Sequence, residues 1–184
     1  MVIREKALVS QLKKDYSGAG YHVAVPEEGE MILTGNGWAV KLEGGNTPRE
    51  VLSLIVKHMG FLPGCGTAWL ISKGKKEPLV QKELPGIVLE LEPVAGMEKA
   101  EGGRAVNRTG LSFMGRRVWQ CTDGLKILLM EPGRESLLDD FESVTAAGCG
   151  LYKEGKTSAV YIRTEADGLH PEQLKHLEAM QWIG

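Results

Sequence analysis

The sequence predicts an α+β protein, a mainly antiparallel β-sheet with three or four packed helices. Two observations carry that expectation. Short apolar runs with period-two alternation are bounded by Gly, Pro and Asn turn signals. Between them lie stretches whose apolar residues recur at helical spacing. The bulk properties agree: 184 residues, 42% hydrophobic and 25% charged, suit one soluble domain or two small subdomains.

Taken in order, residues 3–16 read as an amphipathic helix, with Ile3, Ala7, Leu8, Leu12 and Tyr16 on one stripe. Tyr21, Val23 and Val25 alternate as in a half-buried strand that Pro26 ends. Met31–Thr34 and Trp38–Leu42 flank Gly35-Asn36-Gly37, a hairpin signal because Asn-Gly accepts the positive φ of a tight turn. Thr47-Pro48-Arg49-Glu50 predicts a capping box with Thr47 as N-cap and Pro48 as the first helical residue. The helix that follows is apolar around much of its circumference and stops at Gly60. Thr67–Ser72 is expected as a strand, Lys73–Lys76 as a turn, Leu79–Glu83 as the return strand and Ile87–Leu91 as a further strand.

Residues 93–110 hold Gly96, Gly102, Gly103 and Gly110 and few large apolar groups, so they read as a Gly-rich linker or mobile loop. They divide the chain into an N-terminal α+β half, 1–92, and a C-terminal α+β half, 111–184. In the second half strands are expected near Leu111–Met114, Val118–Thr122 and Lys126–Met130. A helix is expected at 135–147, then a hairpin around Glu154-Gly155-Lys156, then a last helix from Pro171 that buries Leu174, Leu177, Met180 and Trp182. Pro48 and Cys65 map onto Pro132 and Cys149 with one common offset, a pattern that fits two ββαββ-like halves and fits coincidence equally.

Composition excludes several functions. The 22 basic and 24 acidic side chains leave a formal net charge of −2, unlike a generically basic nucleic-acid binder or a wholly acidic nucleic-acid mimic. No apolar run approaches the ~20 residues needed to span a bilayer, and no basic-then-apolar leader opens the chain, so a cytoplasmic protein is expected. The odd, dispersed set of Cys65, Cys121 and Cys149 points to reduced thiols. No closely paired Cys or His ligands, phosphate loop or serine elbow is present, so no metal, cofactor or classical hydrolase is expected.

What remains are charged and aromatic groups. Arg104, Arg108, Arg116 and Arg117 border the linker, and arginine forks onto phosphate. Asp139, Asp140 and Glu142 are expected as a solvated helical face that can meet a basic partner. Lys73, Lys75 and Lys76 crowd a hairpin tip, where they are expected to serve solubility more than contact with an acidic partner. Trp38 and Trp182 are candidates for an exposed contact surface as well as for the core. Cys65 and Cys149, each in a Gly-Cys-Gly triplet, are expected as small thiols tucked behind helix ends; with His58 they are also the first residues to test for thiol chemistry.

The opening EKALVSQLKKDYSGAGYHVAV and the later NTPREVLSLIVKHMGFLP resemble small accessory proteins encoded by phages and mobile elements of gut Firmicutes. Some proteins of that kind are anti-CRISPR inhibitors of the type II CRISPR effector nuclease. The resemblance covers roughly the first 80 residues, in texture and not in a diagnostic motif, and transfers no functional residue. It implies a non-catalytic protein that binds the guide-RNA-loaded effector, through the acidic face or through the arginines. A nucleic-acid-binding accessory protein and a small thiol-dependent enzyme are the alternatives.

Overall fold

The computed structural model describes residues 1–79, 104–122, 127–147, 150–164 and 175. The first helix, α1, runs Glu5–Ser17 and buries Leu8 and Leu12 completely. It starts after Ile3 because Ile3 is drawn into an antiparallel bridge with Leu138. Then come β1 (Tyr21–Val25), β2 (Met31–Gly35) and β3 (Trp38–Leu42). Gly35 pairs with Trp38, so Asn36-Gly37 is the turn, and Gly37 takes the positive φ of 76° that the hairpin requires.

Helix α2 spans Arg49–Met59, and Gly60 closes it at φ 90° by donating its N–H to Val56 O at 2.7 Å. The expected capping box does not form. Pro48 is the N-cap and no side chain caps the helix, because the fixed φ of proline, −57° here with an extended ψ of 139°, already directs the chain into it. Strand β4, Thr67–Ser72, turns at Lys73-Gly74 directly into β5, Lys75–Pro78, earlier than the expected return at 79–83.

The second half holds β6 (Arg104–Phe113), β7 (Arg116–Cys121), β8 (Ile127–Met130), a single-turn helix α3 (Pro132–Glu135), β9 (Thr145–Ala147), β10 (Gly150–Glu154) and β11 (Ser158–Arg163). Residues 104–110, expected as the end of a linker, therefore lie in a strand.

All the described strands join one antiparallel sheet of eleven, in the order β5-β4-β1-β2-β3-β11-β10-β9-β6-β7-β8. This corrects the expected α+β architecture of three or four packed helices in two ββαββ-like halves. One large sheet dominates, and α3 has four residues where α2 has eleven. The pairing of β3 with β11 carries the ladder from one half directly into the other.

The predicted helix at 135–147 fails for one local and one distant reason. Its apolar spacing is helical, but its polar side chains bond to nearby backbone instead. The Ser136 hydroxyl donates to Gly133 O, Asp139 Oδ1 accepts from the Asp140 N–H, and Asp140 Oδ1 accepts from the Glu142 N–H. The N-terminal segment then captures the backbone: Arg4 N–H donates to Leu137 O and Asp139 N–H donates to Val2 O. Ser143, at φ 54°, turns the chain into β9.

Period-two alternation sorts the sheet's two faces. Tyr21, Val23, Leu33 and Val40 share a large core with Leu8 and Leu12 of α1 and Val51, Ile55 and Met59 of α2. That core continues through Val160 and Ile162 to Trp119, Leu128, Leu137 and Leu138. The opposite face carries a smaller cluster of Ala24, Ile32, Ala39, Ala68, Tyr152 and Ala159. Trp38, a candidate contact residue, is 1% exposed and belongs to the large core. Residues 80–83 of the expected return strand, the expected strand at 87–91, the segment 93–103, Cys149 and, except for Lys175, the helix from Pro171 with Trp182 lie outside the described residues. Among the described residues no helix is long and apolar enough to cross a membrane.

Candidate binding site

The arginines of the sequence prediction sit on the β6–β7 hairpin. Phe113 pairs with Arg116 across Met114-Gly115, whose φ values of 50° and 77° make a tight turn at the tip. The register slips between Arg108 and Ser112, and the Thr109 hydroxyl fills the irregularity by donating to Val118 O at 2.7 Å. Beyond the short pairing of Arg104 and Ala105 with β9, the rest of β6 pairs only with β7 among the described strands. The hairpin tip exposes Leu111 (41%) and Met114 (71%).

Glu135, the last residue of α3, gathers two of the arginines. Its side chain is 5% exposed, and it accepts a short hydrogen bond from Arg108 Nε through Oε1. Arg117 Nε lies 3.9 Å from Oε2 of the same carboxylate. The Arg108 guanidinium also stacks over the Phe141 ring, 4.5 Å from its centroid, and Trp119 meets that ring edge-on at 5.6 Å. Arg104 is exposed near β9, and Arg116 is half-buried beside the hairpin turn.

The acidic residues are not a helical face. Lys153 of β10, with a side chain 6% exposed, donates to Asp139 Oδ1 at 2.8 Å and makes a shorter bond to Asp140 Oδ1. Burial pulls the Lys153 ammonium down, but the two carboxylates outweigh it and hold it above its ordinary range. The Lys153 bond, and then the Glu142 N–H, hold Asp140 below the usual carboxylate range. Glu142 is exposed on the same loop. Asp139 and Asp140 thus clamp the 136–143 loop onto the sheet, and that loop presents Phe141 to Arg108.

Glu135, Phe141 and Lys153 were not among the sequence candidates. Lys153 had a readable signal: two positions after Leu151 in a strand, it occupies a core-facing place where a charge needs partners. Glu135 and Phe141 had none, since their roles depend on a loop that reads as a helix.

Of the groups named for thiol chemistry, Cys149 lies outside the described residues, and His58 and Cys65 each have partners of their own. His58 is buried, stacked on Tyr16 with ring centroids 3.7 Å apart, and shares a 3.1 Å hydrogen bond between its Nδ1 and the Tyr21 hydroxyl. Burial first, and Lys57 and Lys13 second, pull His58 down; burial and Tyr16 push the Tyr21 phenol up. Cys65, expected to be tucked inside, is exposed, and its thiol reaches Pro26 O at 3.7 Å. No group of three or more His, Cys, Asp or Glu side chains with metal-binding geometry occurs among the described residues.

By fold the chain is an antiparallel-sheet protein with its two longer described helices packed on one face, and its four candidate arginines lie on the β6–β7 hairpin. No family model and no curated protein matches it. Among solved structures it is similar to a DNA polymerase sliding clamp from Bacillus subtilis, at 12% identity and a TM-score of 0.37. The similarity covers 95% of this chain and 66% of the clamp's, so the chain spans slightly less than two thirds of that protein's length. At that TM-score the likeness carries no argument about family or function.

Proposed function

We propose that the protein acts by binding, that the β6–β7 hairpin is its contact surface, and that its partner is a guide-RNA-loaded type II CRISPR effector nuclease, which it inhibits. The observation that carries the binding surface is the hairpin tip. Leu111 and Met114 stand exposed on the hairpin that also carries Arg108, Arg116 and Arg117, and exposed apolar groups and arginine are both features that partner surfaces favour. The choice of effector is supported by the sequence resemblance of the first 80 or so residues alone. The effector encloses a positively charged channel filled by RNA and DNA, so an inhibitor bearing arginines would contact the nucleic acid more readily than the channel wall.

The test adds purified protein to guide-loaded effector and records target cleavage together with complex formation. Lost cleavage with a co-eluting complex is expected. The double variant Leu111→Asp/Met114→Glu should weaken the complex by at least about tenfold, the scale of one lost hot-spot contact. Normal cleavage with no complex, across several such nucleases, overturns the choice of partner. The nucleic-acid-binding accessory reading is favoured by the same arginines; affinity for oligonucleotides without effector inhibition would select it.

A further inference from the structure

We infer that Arg108 and Arg117 form a preorganised oxyanion fork whose ligand is a nucleic-acid phosphodiester. The inference rests on the hairpin being a binding surface and not on the identity of the effector.

Arg108 is hydrogen-bonded through Nε to the Glu135 carboxylate, and Arg117 Nε lies 3.9 Å from the same carboxylate, within ion-pair range. Arg108 is fixed further by the Phe141 ring beneath its plane, which leaves its in-plane edges available for hydrogen bonds. Among the described residues, Glu135 and Phe141 are the groups that engage Arg108, and Glu135 is the group that engages Arg117; the Nη atoms of both have no described partner. The two side chains remain 32% and 38% exposed. The Nε bond and the Phe141 ring therefore set the plane of the Arg108 guanidinium, the same carboxylate draws Arg117 alongside by charge, and both keep part-exposed Nη donors.

An arginine loses less freedom on binding when its plane is already set. Two cations and one carboxylate leave a single net positive charge, which matches the single negative charge of a phosphodiester. A phosphate presents its oxygens in a tetrahedron, so one group can span two forks, whereas a planar carboxylate satisfies one fork bidentately. The other charges nearby do not compete, because Asp139 and Asp140 are engaged by Lys153. The same chemistry would also accept free phosphate.

The experiment measures binding of a fluorescent thymidine 15-mer, at 50 and 200 mM salt, to the full chain and to Arg108→Lys, Arg117→Lys and Phe141→Leu. The lysine variants keep the charge and remove the fork, so simple electrostatic attraction predicts no change. A Lys75→Ser/Lys76→Ser variant controls for general positive charge, and thermal unfolding of each variant controls for folding. The fork predicts salt-sensitive binding, weakened about tenfold by either Arg→Lys change and severalfold by Phe141→Leu, and unaltered in the Lys75/Lys76 control. Inorganic phosphate is titrated as competitor: displacement only at millimolar levels supports the polymer as ligand, and displacement at micromolar levels overturns the polymer in favour of a free phosphate ligand. Binding equal in the parent and both Arg→Lys proteins, or absent at 50 mM salt, overturns the fork. If effector inhibition persists while the oligonucleotide is not bound, the fork falls and the proposed function stands; oligonucleotide binding without inhibition gives the reverse.

Discussion

The two buried tryptophans among the described residues make opposite use of the indole N–H. Trp38 donates to Asp15 Oδ2 at 2.7 Å, and Gln11 supports the same carboxylate from 3.1 Å, so a buried bond ties α1 to β3. Asp15→Ala leaves that donor unpaired and should cost about 2–3 kcal/mol, the usual loss when a buried bond to a charged group is broken. Asp15→Asn, which keeps an acceptor, should cost less; urea midpoints for the two variants check the order. Trp119 Nε1 is buried with no partner among the described residues, so Trp119→Phe forfeits packing but no hydrogen bond there. Gly35 completes the Trp38 site, since a Cβ would fall inside van der Waals contact of Asp15 and the indole. The sequence marked Gly35 as a turn residue, and the fold uses it for a close approach as well. Trp38 reads as a candidate for either the surface or the core from its place after a turn, and is buried because its alternation partner in the core, Val40, sets the face.

Elements whose chemistry is local were legible, and those that depend on distant capture were not. The Asn36-Gly37 hairpin, α2 with its Gly60 stop, and β4 follow from residues within a few positions of each other. The 136–143 loop does not, because Val2 and Arg4 of the N-terminal segment and Lys153 of β10 decide its path. The site was readable to the same degree: the arginines were visible as a group, but Glu135 at the end of α3 and Phe141 of that loop, which meet Arg108, were hidden by the expected helix. Lys153→Met should therefore release the loop, seen as faster amide exchange at 139–142 with β1–β4 unchanged. In the parent, the depressed Asp140 adds stability above the ordinary carboxylate range that disappears as pH falls through its folded-state value. Lys153 adds stability that is complete below the ordinary lysine value and fades as pH rises through its elevated one. Between α1 and α2 the direction is set by His58. Its folded-state value lies below the ordinary 6.5, so the unfolded chain takes up the proton first, and stability declines as pH falls below that value. His58→Phe should flatten the urea midpoint between pH 7 and pH 5; an unchanged slope would remove His58 as its source.

At the scale of the molecule, one ladder of eleven strands predicts one cooperative transition. Trp38 and Trp119 stand on opposite sides of the β3–β11 junction. In a Trp69→Phe/Trp182→Phe background, fluorescence of Trp119→Phe and Trp38→Phe variants, each followed against far-UV dichroism of the same sample, should give coincident denaturation curves. Two separated transitions within one variant would show that the halves melt independently. The same junction has a consequence during synthesis. The ribosome delivers Leu42 long before its partner Ser158, and at bacterial-type elongation rates of ~5–20 residues per second the delay is on the order of ten seconds. Throughout that interval the outer edge of β3, with the apolar Trp38, Val40 and Leu42, has no native strand to pair with. A nascent chain stalled before Ser158 should therefore be a strong client for holdase chaperones, and release should follow once Arg163 has cleared the exit tunnel.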